Sequence, residues 1–237
     1  MTSAAEVTAQ VAARLLAVRG RIARACERAG REASSVRLVA VSKTQPLEKL
    51  RAALGAGQRA LGENYAQELR EKADALAALS GAQPEWHFLG ALQTNKARLV
   101  VGRAQLVHTC DRASLARELH KRAAALGAVQ RVLVEVNLGD EPQKGGVAPA
   151  GLHELLRAVA ALPALRCEGL MCIPPEDLAP RAHFARLRAL RDGARDAGLG
   201  NLPELSMGMS ADYEEAILEG ATIVRVGTAI FGARGPL

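Results

Sequence analysis

Lys43 closes an otherwise apolar run, Val39-Ala40-Val41-Ser42-Lys43, and shares strand parity with Val39 and Val41. An amine in that position either reaches out to solvent along its apolar stem or sits partly desolvated. Desolvation favours the neutral amine, which can form a Schiff base with an aldehyde. Far along the chain, Leu205-Ser206-Met207-Gly208-Met209-Ser210 and Val226-Gly227-Thr228 supply small residues and hydroxyls. Such segments are ordinary turns, or they let backbone N–H groups approach an oxyanion closely. Arg225 alternates with Val224 and Val226 and shares parity with Ile223 and Gly227. A guanidinium inside a strand needs an acceptor. Glu135 or Glu168 could provide one internally, and an aromatic nitrogen of a ligand could provide it instead. An amine facing a phosphate cradle describes a ligand with an aldehyde and a phosphate. Pyridoxal 5′-phosphate fits that description, as does a sugar phosphate in a Schiff-base aldolase.

Other polar residues stand at the ends of apolar runs. Asn64, in Gly62-Glu63-Asn64-Tyr65, can hydrogen-bond a ligand hydroxyl or cap the following helix. His87, between Trp86 and Phe88, reads as a hydrogen-bonded interior histidine, and Gln93–Lys96 as a helix start. The segment Asp140–Gly146, with Lys144, reads as a charged loop. Cys26, Cys110, Cys167 and Cys172 form no Cys-x-x-Cys pair, and the histidines show no zinc-type spacing. No metal site is expected. Cys167 and Cys172, five apart in one strand, are expected to face opposite ways as free thiols.

The elements that must position these groups follow from periodicity. Val7, Val11, Leu15, Val18 and Ile22 recur at helical spacing and predict an amphipathic helix over residues 1–30, ending near Gly30. Eight short apolar runs follow, at 36–43, 59–64, 85–90, 105–111, 130–138, 165–173, 204–208 and 222–227. Ala/Leu/Arg-rich helical stretches lie between them, near 47–57, 65–79, 94–103, 112–127, 149–161, 180–198 and 210–219. This alternation predicts an α/β fold, a single (β/α)8 TIM-type barrel over 36–232 with an extra N-terminal helix, all in one domain of 1–237. An open doubly wound sheet is the alternative, weakened because no Gly-x-Gly-x-x-Gly follows the first strand. Few residues follow the last strand, so the N-terminal helix is expected to cover that sector of the barrel. In such barrels the site lies at the C-terminal ends of the strands, with phosphate after strands seven and eight.

Net charge is +6, but aromatic residues are only 3% of the chain, too few for a base-stacking platform, so no nucleic-acid partner is expected. No apolar run is long enough to span a bilayer, and the N-terminus does not read as a secretory signal. A cytoplasmic monomer is the expectation.

The segments VAVSKTQP, LGENYAQEL, WHFLGALQTNK, EVNLGDEPQKGGV, GLMCIP and LSMGMSADYEEAILEGATIVRVGTAIFG resemble the pyridoxal-phosphate homeostasis proteins, in order and over nearly the whole chain after the first helix. That family is similar to the barrel domain of bacterial alanine racemase. The resemblance implies pyridoxal 5′-phosphate held as a Schiff base on Lys43. Ser206, Gly227 and Thr228 would hold its phosphate, Arg225 would face the pyridine nitrogen, and Asn64 and Met207 would line the ring. It also implies a carrier and regulator of the cofactor with no catalytic residue, and apo-enzymes requiring the cofactor as partners. Ala91 departs from the proline usual in the family, in a loop. Binding over turnover is therefore the expectation: an arginine cannot protonate the pyridine, and with Leu237 as the last residue no second domain is expected to supply a racemase's second base. A stand-alone racemase or lyase is the competing function, with Tyr65 or His87 as candidate second base.

Overall fold

The computed structural model describes residues 3–78, 83–139, 141, 145–175 and 180–233. Nine α-helices are described among them: α1 (Ala4–Arg28), α2 (Leu47–Gly55), α3 (Ala66–Ala77), α4 (Ala97–Val100), α5 (Ala113–Ala125), α6 (Leu152–Ala160), α7 (Pro180–Asp196), α8 (Tyr213–Leu218) and α9 (Thr228–Phe231). They alternate with β1 (Arg37–Val41), β2 (Ala60–Glu63), β3 (Glu85–Phe88), β4 (Leu106–Cys110), β5 (Gln130–Glu135), β6 (Leu165–Met171), β7 (Glu204–Ser206) and β8 (Ile223–Val226). All eight strands pair in parallel in sequence order, and β1 closes on β8 through Arg37↔Ile223 to Ala40↔Val226. The structure is therefore the closed barrel expected, with no open edge to protect.

Two apolar layers result from strand alternation. Val39, Ala60, Leu106, Leu133, Met171 and Ile223 meet inside the barrel. The opposite parity, including Leu38, Ala40, Val107, Val132, Val224 and Val226, packs outward against the helices. Where alternation slips, a bulge is the cause. Val132 pairs with Cys167 but Leu133 with Gly169, so β6 carries one extra residue. That insertion resets parity and corrects the expectation for the two cysteines: both Cys167 and Cys172 pack with the outer layer. Both are free, as expected.

Helix α1 begins with a capping box in which Ser3 Oγ accepts from the Glu6 N–H and Glu6 Oε2 accepts from the Ser3 N–H. Its stripe Val11, Leu15, Val18 and Ile22 is buried. It packs across α2, α8 and α9, covering the sector where α9 has a single turn. Arg21 ties the far side, pairing with Glu214 at 2.6 Å and lying over the Tyr213 ring. Among the described residues no helix is long and apolar enough to cross a membrane.

Candidate functional site

Lys43 stands two residues beyond β1 at the C-terminal mouth of the barrel and is partly buried. It occupies a tight turn closed by the Gln45 N–H donating to Ser42 O at 3.0 Å, and the next residue, Thr44, has φ +60°. Asn64 follows β2 on the neighbouring strand end. Gly90 brings the β3 end against it: a Cβ on Gly90 would lie 2.0 Å from Asn64 O, so only glycine fits there. The Asn64 side chain keeps its Oδ1 buried without a hydrogen-bond partner.

Arg225, on β8, points into the barrel as its parity predicts and is 4% exposed. Neither carboxylate considered for it forms an ion pair with it. Glu168 is held near the opposite end of the barrel by Arg131 at 2.7 Å and by Arg166. Glu135, at the end of β5, lies beside Asp111; burial pushes its carboxyl up to about 7, with Asp111 adding to the shift and Arg225 opposing it. The guanidinium instead donates from Nη1 to Ser206 Oγ at 2.7 Å and from Nη2 to Cys172 O at 2.9 Å.

Behind Ser206 a chain of polar groups runs down the barrel axis. Ser206 Oγ lies 2.8 Å from His108 Nδ1, and His108 Nε2 lies 2.8 Å from His87 Nδ1. His87 Nε2 faces Glu85 Oε1 at 3.4 Å. Burial pushes His108 well below its ordinary value and His87 below it, so both rings are neutral. Arginine can only donate and an ionised carboxylate can only accept. The two ends therefore set the direction throughout: Arg225 to Ser206, Ser206 O–H to His108 Nδ1, His108 Nε2–H to His87 Nδ1, and His87 Nε2–H toward Glu85. His87, with Arg37 and Arg131 nearby, lowers Glu85 to about 2.

The remaining site residues divide. Ser206 was expected at the phosphate, but its hydroxyl is fully buried and engaged by Arg225 and His108. Met207 was expected along the ring; its side chain is fully buried in the outer layer. Gly208, with φ +91°, turns the chain so that its carbonyl accepts from the Arg225 N–H at 3.0 Å, and a Cβ there would lie 2.6 Å from Ala216 Cβ. This turn delivers Ser210, whose Oγ accepts from the Gly227 N–H at 3.4 Å. Gly227 and exposed Thr228 follow β8 beside it. Sequence reading did not assign Ser210 or His108; Leu106-x-His108 alternation in β4 was the available signal for the latter. Lys144 lies outside the described residues, and among those residues no metal-type cluster occurs.

A closed parallel barrel of this kind places the chain in the class of the alanine racemase barrel domain. The family described as "Alanine racemase, N-terminal domain" matches residues 14–235. The alanine racemase of Corynebacterium glutamicum superposes with a TM-score of 0.70 at 18% identity, over 93% of this chain and 62% of the racemase, a likeness of fold. Two relatives are much nearer in sequence. The pyridoxal phosphate homeostasis protein of Aquifex aeolicus is 48% identical over 93% of this chain and 97% of its own. PipY of Synechococcus elongatus, solved with pyridoxal phosphate bound, is 38% identical with a TM-score of 0.82, over 94% of this chain and all of PipY. The chain belongs to the pyridoxal phosphate homeostasis protein family.

Proposed function

We propose that this protein binds pyridoxal 5′-phosphate on Lys43 and serves intracellular vitamin B6 homeostasis, without sustained turnover of its own. The residues present fit the cofactor. Arg225 is a buried guanidinium with only neutral oxygen acceptors among the described residues, so an additional acceptor at the mouth suits it. The unpartnered Asn64 Oδ1 suits a hydroxyl donor on the ring. Ser210, the Gly227 N–H and Thr228 offer donors to a phosphate. The bound PipY relative points the same way.

When bound, the cofactor supplies an aldehyde for a lysine amine and a ring able to withdraw electrons. Lys43 provides the amine. Arg225 orients the ring nitrogen and, having no acidic proton to give, leaves it unprotonated, which weakens electron withdrawal. His87 is deep in the barrel and occupied by His108, so it cannot act as a base at the mouth. Tyr65, 59% exposed at the rim, is the group left for a racemase or lyase reading. The observation that carries the carrier reading is Arg225 itself, buried and, among the described residues, hydrogen-bonded only to neutral oxygens.

The test is the absorption spectrum of purified protein before and after borohydride, with peptide mapping. The reduced adduct is expected on Lys43 and absent from Lys43→Ala. A colourless protein acting on a sugar phosphate, or amino-acid turnover abolished by Lys43→Ala, would replace this reading. The same proposal makes the protein a cytoplasmic monomer whose partners are apo-enzymes requiring the cofactor; sedimentation and transfer assays test those points.

A further inference from the structure

Directly behind the Lys43 turn lies a charged cluster that the binding role does not use. Lys72, on α3, is 7% exposed, and its ammonium is held by protein oxygens on three sides. It donates to Ser42 O at 2.6 Å and to Glu63 Oε1 at 2.8 Å, and it forms an ion pair with Glu68 Oε1 at 2.7 Å. Each carboxylate oxygen also accepts a hydrogen bond from the turn: Glu63 Oε1 from Ser42 Oγ at 2.7 Å, and Glu68 Oε1 from the Thr44 N–H at 2.7 Å. The two residues gripped are the immediate neighbours of Lys43.

We infer that Lys72, acting through Glu63 and Glu68, is a positioning residue that clamps the Ser42–Thr44 turn and so aims the Lys43 amine into the barrel mouth. A buried ion-pair cluster is a poor source of stability, because desolvation offsets most of the attraction. What this one secures is conformation. Thr44 has φ +60°, a region that β-branched residues avoid and that persists only where surrounding contacts enforce it. Relaxed to an extended conformation, Thr44 would redirect the chain at the point where Lys43 leaves the strand.

This inference rests on Lys43 as the cofactor lysine, and its test separates the two. Full-length Lys72→Met keeps the buried stem and removes the charge. Cofactor loss on dialysis is expected to accelerate about tenfold or more, the scale of a lost buried charged hydrogen bond. In cofactor-free protein, acylation of Lys43 by a small amine-specific reagent, followed across pH by peptide mapping, is expected to shift its profile. Adding Thr44→Gly, which holds positive φ without strain, is expected to restore both readouts. A merely structural cluster would lower the melting temperature, leave both readouts unchanged and gain nothing from Thr44→Gly. If Lys72→Met does not fold, Glu68→Ala, at the more exposed edge of the cluster, removes the Thr44 anchor and is read the same way. Unchanged readouts in the folded variant overturn the clamp. Absence of borohydride label on Lys43 in the unsubstituted protein overturns the cofactor reading instead, and the acylation profile still decides the clamp.

Discussion

Arg225 and Ser206, on adjacent strands, share a 2.7 Å hydrogen bond inside the barrel in which the hydroxyl accepts from Nη1. The same hydroxyl faces His108, so the serine joins the guanidinium at the mouth to the histidine pair below it. Ser206→Ala strands a buried donor on one side and a ring nitrogen on the other. It is expected to weaken cofactor retention and fold stability by about 1–3 kcal/mol each, and Arg225→Ala to weaken retention by a similar amount. Equilibrium dialysis and urea unfolding measure the two effects separately.

Two carboxylates, buried Glu135 and half-buried Glu85, are shifted in opposite directions. Glu135 is raised to about 7, so between its unfolded value near 4.5 and 7 the folded state holds the extra proton. Its destabilising effect grows as pH rises through that window. In cofactor-free protein, Glu135→Gln is therefore expected to add about 1–3 kcal/mol at pH 8 and close to nothing at pH 4.

Glu85 is lowered to about 2, chiefly by His87. Its contribution is present above pH 4.5 and is lost as pH falls toward 2. Glu85→Gln is expected to lower the urea midpoint at pH 7 and to leave the acid limb of the stability curve shallower. Chemical unfolding across pH 2–8 checks both substitutions.

Helix α1 completes the outer layer over α2, α8 and α9. Leu15, 1% exposed, sits at the centre of its stripe, and Leu15→Ala is expected to cost about 2–5 kcal/mol. Deleting residues 1–30 is expected to expose the apolar faces of its neighbours and cause aggregation, visible by light scattering. Unchanged melting of the truncated protein would count against this role.

Gly90 packs against the backbone of Asn64 so closely that a methyl group cannot fit. Gly90→Ala must push the β2 and β3 ends apart, at a cost of about 1–3 kcal/mol, and should also reduce cofactor retention by displacing Asn64. Thermal melting and dialysis together detect the paired loss.

By itself, the sequence determined the strand and helix alternation, the eightfold barrel, the covering helix, and the strand ends where Lys43, Asn64, Arg225, Gly227 and Thr228 stand. These follow from local periodicity and from a fixed rule of barrel architecture, both written along a single segment at a time. Tertiary structure alone decided the partners. Ser206 faces Arg225 and His108 because three strands distant in sequence turn those side chains into one narrow lumen. Cys167 and Cys172 share a layer because one inserted residue in β6 resets the pleat. Lys72 reaches Ser42 because α3 packs back over the β1 and β2 ends. Such pairings depend on closure of the barrel in three dimensions, and no spacing within one strand or helix encodes them.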